Sequence, residues 1–270
     1  MHAYQGFSKS FERFLRHVKQ SKYYYALYWL FFPLKAGESI QNAWVRKFGN
    51  RDPENSPGAL SLRTITSRDM TFGPYILPDL QSNIVFQSLV GSGDGLISGI
   101  FHSYLETAHS GIKDFGVACE SGQAIERGDT VPDMGSYDLP PTAWEGHTLP
   151  VYMLKAPLEN IEGVKVCRDR ERISRLSHCI GMLIFYSNGE VEAIGQIRWD
   201  QDMSEMIPVP IQVQTGCERE EYVVRDIQAL SPNHDERDGW KTVPSSGTIA
   251  WWSSWCGDEI LIYDDKITKL

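Results

Sequence analysis

The sequence has no C-x-x-C pair, and its five cysteines, Cys119, Cys167, Cys179, Cys217 and Cys256, are odd in number and scattered. That pattern signals neither a disulfide framework nor a zinc site. It leaves reduced thiols packed as small hydrophobes, which suits a reducing, cytoplasmic compartment. Basic charge is also short: 26 Lys and Arg against 35 Asp and Glu give a formal net charge of -9. Phosphate-backbone affinity comes from clustered cations releasing counterions, so nucleic-acid binding is not expected. A bilayer-spanning helix needs about 20 apolar residues, and the apolar stretch Tyr23–Leu34 is too short, with no small-residue cleavage pattern after it. No G-x-S-x-G, H-E-x-x-H or GK[ST] motif occurs. The glycine loop Gly91–Gly95 lacks the lysine and following helix that a phosphate loop uses. No cofactor and no metal is signalled.

What is present is strand pattern. From Cys179 to Asp200, Met182, Ile184 and Tyr186 share one face and Leu183 and Phe185 the other, so both faces call for cover. Ser187-Asn188-Gly189 supplies a hairpin turn, because Asn and Gly accept positive φ. On the return, Val191, Ala193, Gly195 and Ile197 alternate with Glu192, Ile194, Gln196 and Arg198, which places the charges toward solvent. Further short strands are expected over 23–34, 39–46, 59–66, 71–75, 96–104, 112–119, 151–155, 163–168, 222–230, 248–255 and 259–263, punctuated by Gly and Pro. Near the start, Phe7, Phe11, Phe14, Leu15 and Val18 recur at helical spacing, ringed by Lys9, Arg13, Arg16 and Lys19. The simplest role for that stripe is docking on its own domain rather than on a membrane. The pattern as a whole predicts an all-β protein, an antiparallel sandwich, barrel or prism with a short N-terminal amphipathic helix. We divide it into a helix (1–22), a first β half (23–119), a connecting loop (120–150) and a second β half (151–270), with one compact body of both halves an open arrangement.

Glu38-Ser39-Ile40, the Ser67-Arg68 turn leading to Phe72-Gly73-Pro74, Ile97-Ser98-Gly99-Ile100-Phe101 and Phe115-Gly116-Val117 resemble the later strands of jacalin-related β-prism lectins over residues 34–119. The whole chain resembles a β-rich region of large uncharacterised fungal proteins, some of which carry an F-box. The lectin resemblance implies sugar binding at a Gly-x-x-x-Asp loop before the last strand. Here that loop is Gly111-Ile112-Lys113-Asp114, one residue short, and alignment on Gly116 puts Lys113 at the acidic position.

Candidate site residues are therefore Asp114 and Lys113 for a ligand, joined by Trp252, which faces away from Trp251 and Trp255 along one strand and could stack on a sugar ring. Trp144 and His147 are expected to pack their loop onto a sheet edge. If the chain is an enzyme, Asp94, His102 and Asp114 are the first acid–base candidates. Asp200, Asp202 and Glu205 within DQDMSE lack the glycine and distal Glu of a calcium loop and read as a solvated acidic loop. His102, His109 and Glu106 would need a further ligand to hold a metal. His178 and Cys179 are adjacent on a strand and point to opposite faces, so they do not form a nucleophile–base pair. The reading that follows is a non-enzymatic recognition module for a carbohydrate or protein ligand. The alternatives are an enzyme with dispersed acidic and His residues, and a scaffold docking through the N-terminal helix.

Overall fold

A computed structural model describes residues 9–20, 28–49, 58–102, 114–121, 130–135, 137, 150–169, 178–218, 221–230, 239–254, 257–264 and 267–270. The chain is mostly β, and it divides into two units: Met1–Leu27 with Ala36–Tyr137, and Tyr28–Lys35 with Asp138–Leu270.

The first unit opens with helix α1 (Lys9–Lys19), where Leu15 is buried and Phe14 and Val18 are half-buried. Glu12 in its first turn and Arg16, His17 and Lys19 in its last complement the helix dipole. Strands β1 (Ile40–Phe48), β2 (Ala59–Thr64) and β3 (Asp69–Phe72) follow, then a single helical turn α2 (Pro78–Gln81), β4 (Ile84–Ser88), β5 (Ile97–His102) and β6 (Phe115–Cys119). They form a six-stranded sheet in the order β3-β2-β1-β5-β6, with β4 also on β1. Ala43, Leu60, Leu62 and Ile97 make the apolar core of this sheet. The alternate side chains of β1, Asn42, Trp44 and Arg46, are buried too. Polar contacts pair much of that second face, although the buried Asn42 Oδ1 has no hydrogen-bond partner among the described residues. Arg46 donates to the Pro74 carbonyl, Ser61 and Thr71 hydroxyls meet at 2.8 Å, and Arg63 clasps Asp69 through two 2.7 Å bonds while donating to the Thr130 carbonyl at 2.8 Å. Strand β4 escapes the sequence pattern because it is five residues long with only Ile84 and Phe86 half-buried.

The second unit contains β7 (Tyr152–Pro157), β8 (Ile161–Asp169), β9 (His178–Tyr186), β10 (Val191–Gly195), β11 (Asp202–Met203), β12 (Ile207–Pro208), β13 (Ile211–Glu218), β14 (Glu221–Ala229), β15 (Trp240–Thr242), β16 (Thr248–Ser254), β17 (Gly257–Tyr263) and β18 (Ile267–Lys269). Its sheet runs β11-β8-β9-β14-β17-β16-β7, with β10 on β9, β12 on β8, β13 on β14 and β15, and β18 on β17. The β9–β10 hairpin forms around Gly189 at φ 79°, and β9 is buried on both faces as its two apolar faces require.

Three local expectations are corrected here. The return strand stops at Gly195, at φ 71°, instead of continuing through Ile197. Arg198, expected toward solvent, is buried: it reaches Asp200 through Nη2 at 3.0 Å and lies over the Trp29 ring at 5.6 Å. Residues 28–34 are irregular rather than a strand. The Trp29 amide donates to the Gln196 side chain at 3.1 Å, and its carbonyl accepts from the Ile197 amide at 3.2 Å. The aromatic run instead covers the sheet. Tyr28 stacks on Tyr152 at 4.2 Å, and Phe31 packs on the cluster of Cys167, Ile180, Leu183, Ala193 and Ile197. The part of that run before Tyr28 lies outside the described residues.

Candidate functional site

One end of the second unit's sheet carries a cavity of about 190 Å³, bordered by Thr215, Cys217, Tyr222, Asp258, Glu259 and Lys269. Four strands build it. The β13–β14 hairpin pairs Cys217 with Tyr222 and Gly216 with Val223. Strand β17 then starts beside β14 in parallel, Gly257 opposite Tyr222. Only glycine fits at that junction: φ is 118°, and a Cβ there would lie 2.0 Å from the Tyr222 carbonyl oxygen. Two residues on, Glu259 shares a strand face with Leu261, and Leu261 pairs with Lys269 of β18. The parallel join and the β17–β18 hairpin thus bring Tyr222, Glu259 and Lys269 together.

Lys269 Nζ forms an ion pair with Glu259 and sits 4.1 Å from the Tyr222 ring centroid, within cation–π range. The Glu259 side chain is 8% exposed and that of Lys269 35%, so the ammonium closes a largely buried carboxylate from the solvent side. The Lys269 backbone is held separately. Its carbonyl accepts from Lys241 Nζ at 2.8 Å, and the next amide, Leu270, donates to the Ile260 carbonyl at 3.0 Å. Asp258, also buried, accepts from Trp251 Nε1 at 3.2 Å and from the Ser253 hydroxyl at 2.6 Å, which orients its carboxylate. On the face shared with Tyr222 the cavity therefore offers the Glu259 carboxylate, a hydroxyl, a phenol ring and the Lys269 ammonium, while the Asp258 carboxylate, one residue along β17, turns to the other face toward Trp251 and Ser253. Among the described residues no histidine lines the cavity.

Two buried cysteines of this unit, Cys179 and Cys167, are inert as nucleophiles. Burial pushes the Cys179 thiol up to about 12 and the Cys167 thiol up to about 11, so both stay protonated at neutral pH. Cys179 Sγ accepts from Arg168 Nη1 at 3.2 Å, while His178 Nε2 lies 3.5 Å from Glu218, in keeping with opposite strand faces. Cys217 is exposed, Cys119 is half-buried, and Cys256 lies outside the described residues.

The described residues among those singled out from the sequence lie elsewhere. Trp252 does face away from Trp251, but that face is buried as well. The ring is 2% exposed and its Nε1 donates to the Tyr263 hydroxyl at 3.1 Å, so it is core and has no surface for a sugar. Asp94 caps its own turn, accepting from the Gly91 amide at 2.6 Å. His102, which pairs with Phe115, shares one end of β5 with Asp114, while Asp94 precedes the other end. A strand rising about 3.3 Å per residue sets those ends roughly 16 Å apart, so the three do not converge. Asp200 is taken by Arg198. Among the described residues no group of three or more His, Cys, Asp or Glu is arranged to hold a metal, and no helix is long and apolar enough to cross a membrane. Lys113, Glu106, His109, Trp144, His147 and Trp255 lie outside the described residues, as do Phe7 and the side chain of Phe11 in the helical stripe. Sequence reading places Tyr222 and Glu259 in strands but has no signal that joins them, and β18 with Lys269 goes unrecognised. Comparison with family models, curated proteins and solved structures returned no match.

Proposed function

We propose that the chain is a non-enzymatic recognition module that takes one polar group of a carbohydrate or protein ligand in the cavity at the end of the second unit's sheet. The observation that carries this reading is the cavity itself, about 190 Å³ with the largely buried Glu259 carboxylate and the Lys269 ammonium at its edge. Ligand sites for drug-sized molecules begin at about 300 Å³, so this one suits a single sugar ring or side chain rather than a whole molecule. The Glu259 carboxylate stands on a strand paired on both sides, and such pre-organisation of the backbone lowers the ordering cost of binding. What supports a binder over a catalyst is that no imidazole of the described residues borders the cavity beside its Cys217 thiol, and that Asp94 is set apart from His102 and Asp114.

The test is a glycan-array and peptide-array screen of the whole chain, repeated with Glu259→Gln. The reading predicts reproducible binding to at least one probe class and its loss in the folded Glu259→Gln variant. Binding that is unchanged in Glu259→Gln, or absent from both arrays, contradicts it.

A further inference from the structure

We propose that this cavity is an ammonium-recognition box and that Lys269 is its built-in competitor; the proposal rests on the recognition reading above and names the ligand chemistry. The ligand is a primary alkylammonium group, supplied by a lysine side chain of a protein partner or by a free amine.

Two groups surround Lys269 Nζ. Glu259 supplies a largely buried carboxylate and Tyr222 a ring face at 4.1 Å, which are the two elements that select a desolvated cation over a neutral group. A chain cation already fills the box, so its fit to an ammonium group is demonstrated by the protein itself. The occupant is also replaceable. The backbone around Lys269 is pinned by Lys241 to its carbonyl and by the Leu270 amide to Ile260, so the side chain can swing out while β18 stays paired. At 35% exposure that side chain already borders solvent, where its ammonium can be hydrated. The backbone of the cage, in contrast, is held: Gly257 brings β17 against Tyr222, and Glu259 sits on a strand paired on both sides. The cavity beside the ammonium, next to Asp258 and Thr215, leaves room for the stem of an incoming group. A net charge of -9 further favours approach of a cation.

Competition by a tethered group lowers the apparent affinity by the fraction of time the box is open. Removing Lys269 should therefore strengthen binding. The experiment is isothermal titration of the whole chain with n-butylammonium, Nα-acetyl-lysine methylamide and 1-pentanol, a neutral probe of similar length. The proteins are wild type, Lys269→Ala and Lys269→Ala/Glu259→Gln, with Lys269→Met keeping the apolar stem in case the alanine variant does not fold. The expected result is that Lys269→Ala or Lys269→Met binds butylammonium at least about 10-fold more tightly than wild type, that Glu259→Gln abolishes the gain, and that pentanol shows neither effect. Tighter binding of the lysine derivative than of butylammonium assigns the ligand to a protein partner; equal binding assigns it to a free amine. Equal affinity in wild type and the Lys269 variants, or equal response to butylammonium and pentanol, overturns the proposal. If a neutral sugar binds at the cavity while no amine does, the ammonium inference falls and the recognition reading stands. If neither amines nor the array probes bind, both fall.

Discussion

Replacing Trp252 with alanine tests whether this residue belongs to the core or to a ligand surface. Its ring is 2% exposed, between the neighbours that β16 shares with β17 and β7, and its Nε1 hydrogen bond to the Tyr263 hydroxyl is made inside the sheet. Truncating a buried Trp to Ala costs about 3 to 5 kcal/mol through lost transfer energy and the cavity left behind. Loss of the indole donor adds about 1 kcal/mol if the Tyr263 hydroxyl finds no other partner. Trp252→Phe keeps much of the ring and loses the donor, so it should cost about 1 to 2 kcal/mol. Equilibrium urea unfolding, followed by far-UV circular dichroism, measures both. The alanine variant should lower the midpoint with little change in slope, and the phenylalanine variant should lie between it and wild type. A Trp252→Ala loss below about 1 kcal/mol, the range of a surface substitution, would refute the burial argument.

Other substitutions probe the frame of the site and the thiols. Gly257→Ala places a methyl 2.0 Å from the Tyr222 carbonyl oxygen at φ 118°. Only backbone can yield there, so unfolding titration should show a loss of about 3 kcal/mol or more, and an unchanged midpoint would contradict the junction described. Arg198→Ala leaves Asp200 buried without its cation and should cost about 3 to 5 kcal/mol, much of it recovered in Arg198→Met/Asp200→Leu; the same titration decides. Thiol labelling at pH 8 should modify Cys217 quickly and spare Cys167 and Cys179 until the protein unfolds, which peptide mapping reads directly. Because burial raises those two thiols from 9.0 to about 11 and 12, the unfolded chain releases their protons first. Their contribution to stability should therefore fall as pH rises from 9 toward 12, and Cys167→Ala/Cys179→Ala should flatten that part of the profile.

The hairpin was legible because its signals agree: two apolar faces on β9, Asn188-Gly189 at the turn, and alternation on the return. Where a polar residue serves the interior, the pattern misleads. Gln212 in β13 is fully buried between β14 and β15, so the strand's alternation of Ile211 and Val213 with Gln212 and Gln214 does not report its burial. Arg198 misled in the same way, since a charge on an alternating strand implies solvent unless a neighbour such as Asp200 can be placed against it. Trp252 shows the reverse limit: period two says which side a residue faces, and only the second packed layer says whether that side is covered. The cavity was not legible at all. Tyr222, Glu259 and Lys269 meet through a parallel strand contact and a three-residue strand, and neither leaves a local trace in composition or spacing.

The most direct test of the recognition reading is a titration of the isotopically labelled whole chain with the tightest array probe, followed by backbone amide shifts. The account predicts saturable shifts concentrated at 215–218, 222–223 and 258–259, and lost in Glu259→Gln. Saturable shifts centred elsewhere, at 113–115 for example, would contradict it and return the site to the loop before β6.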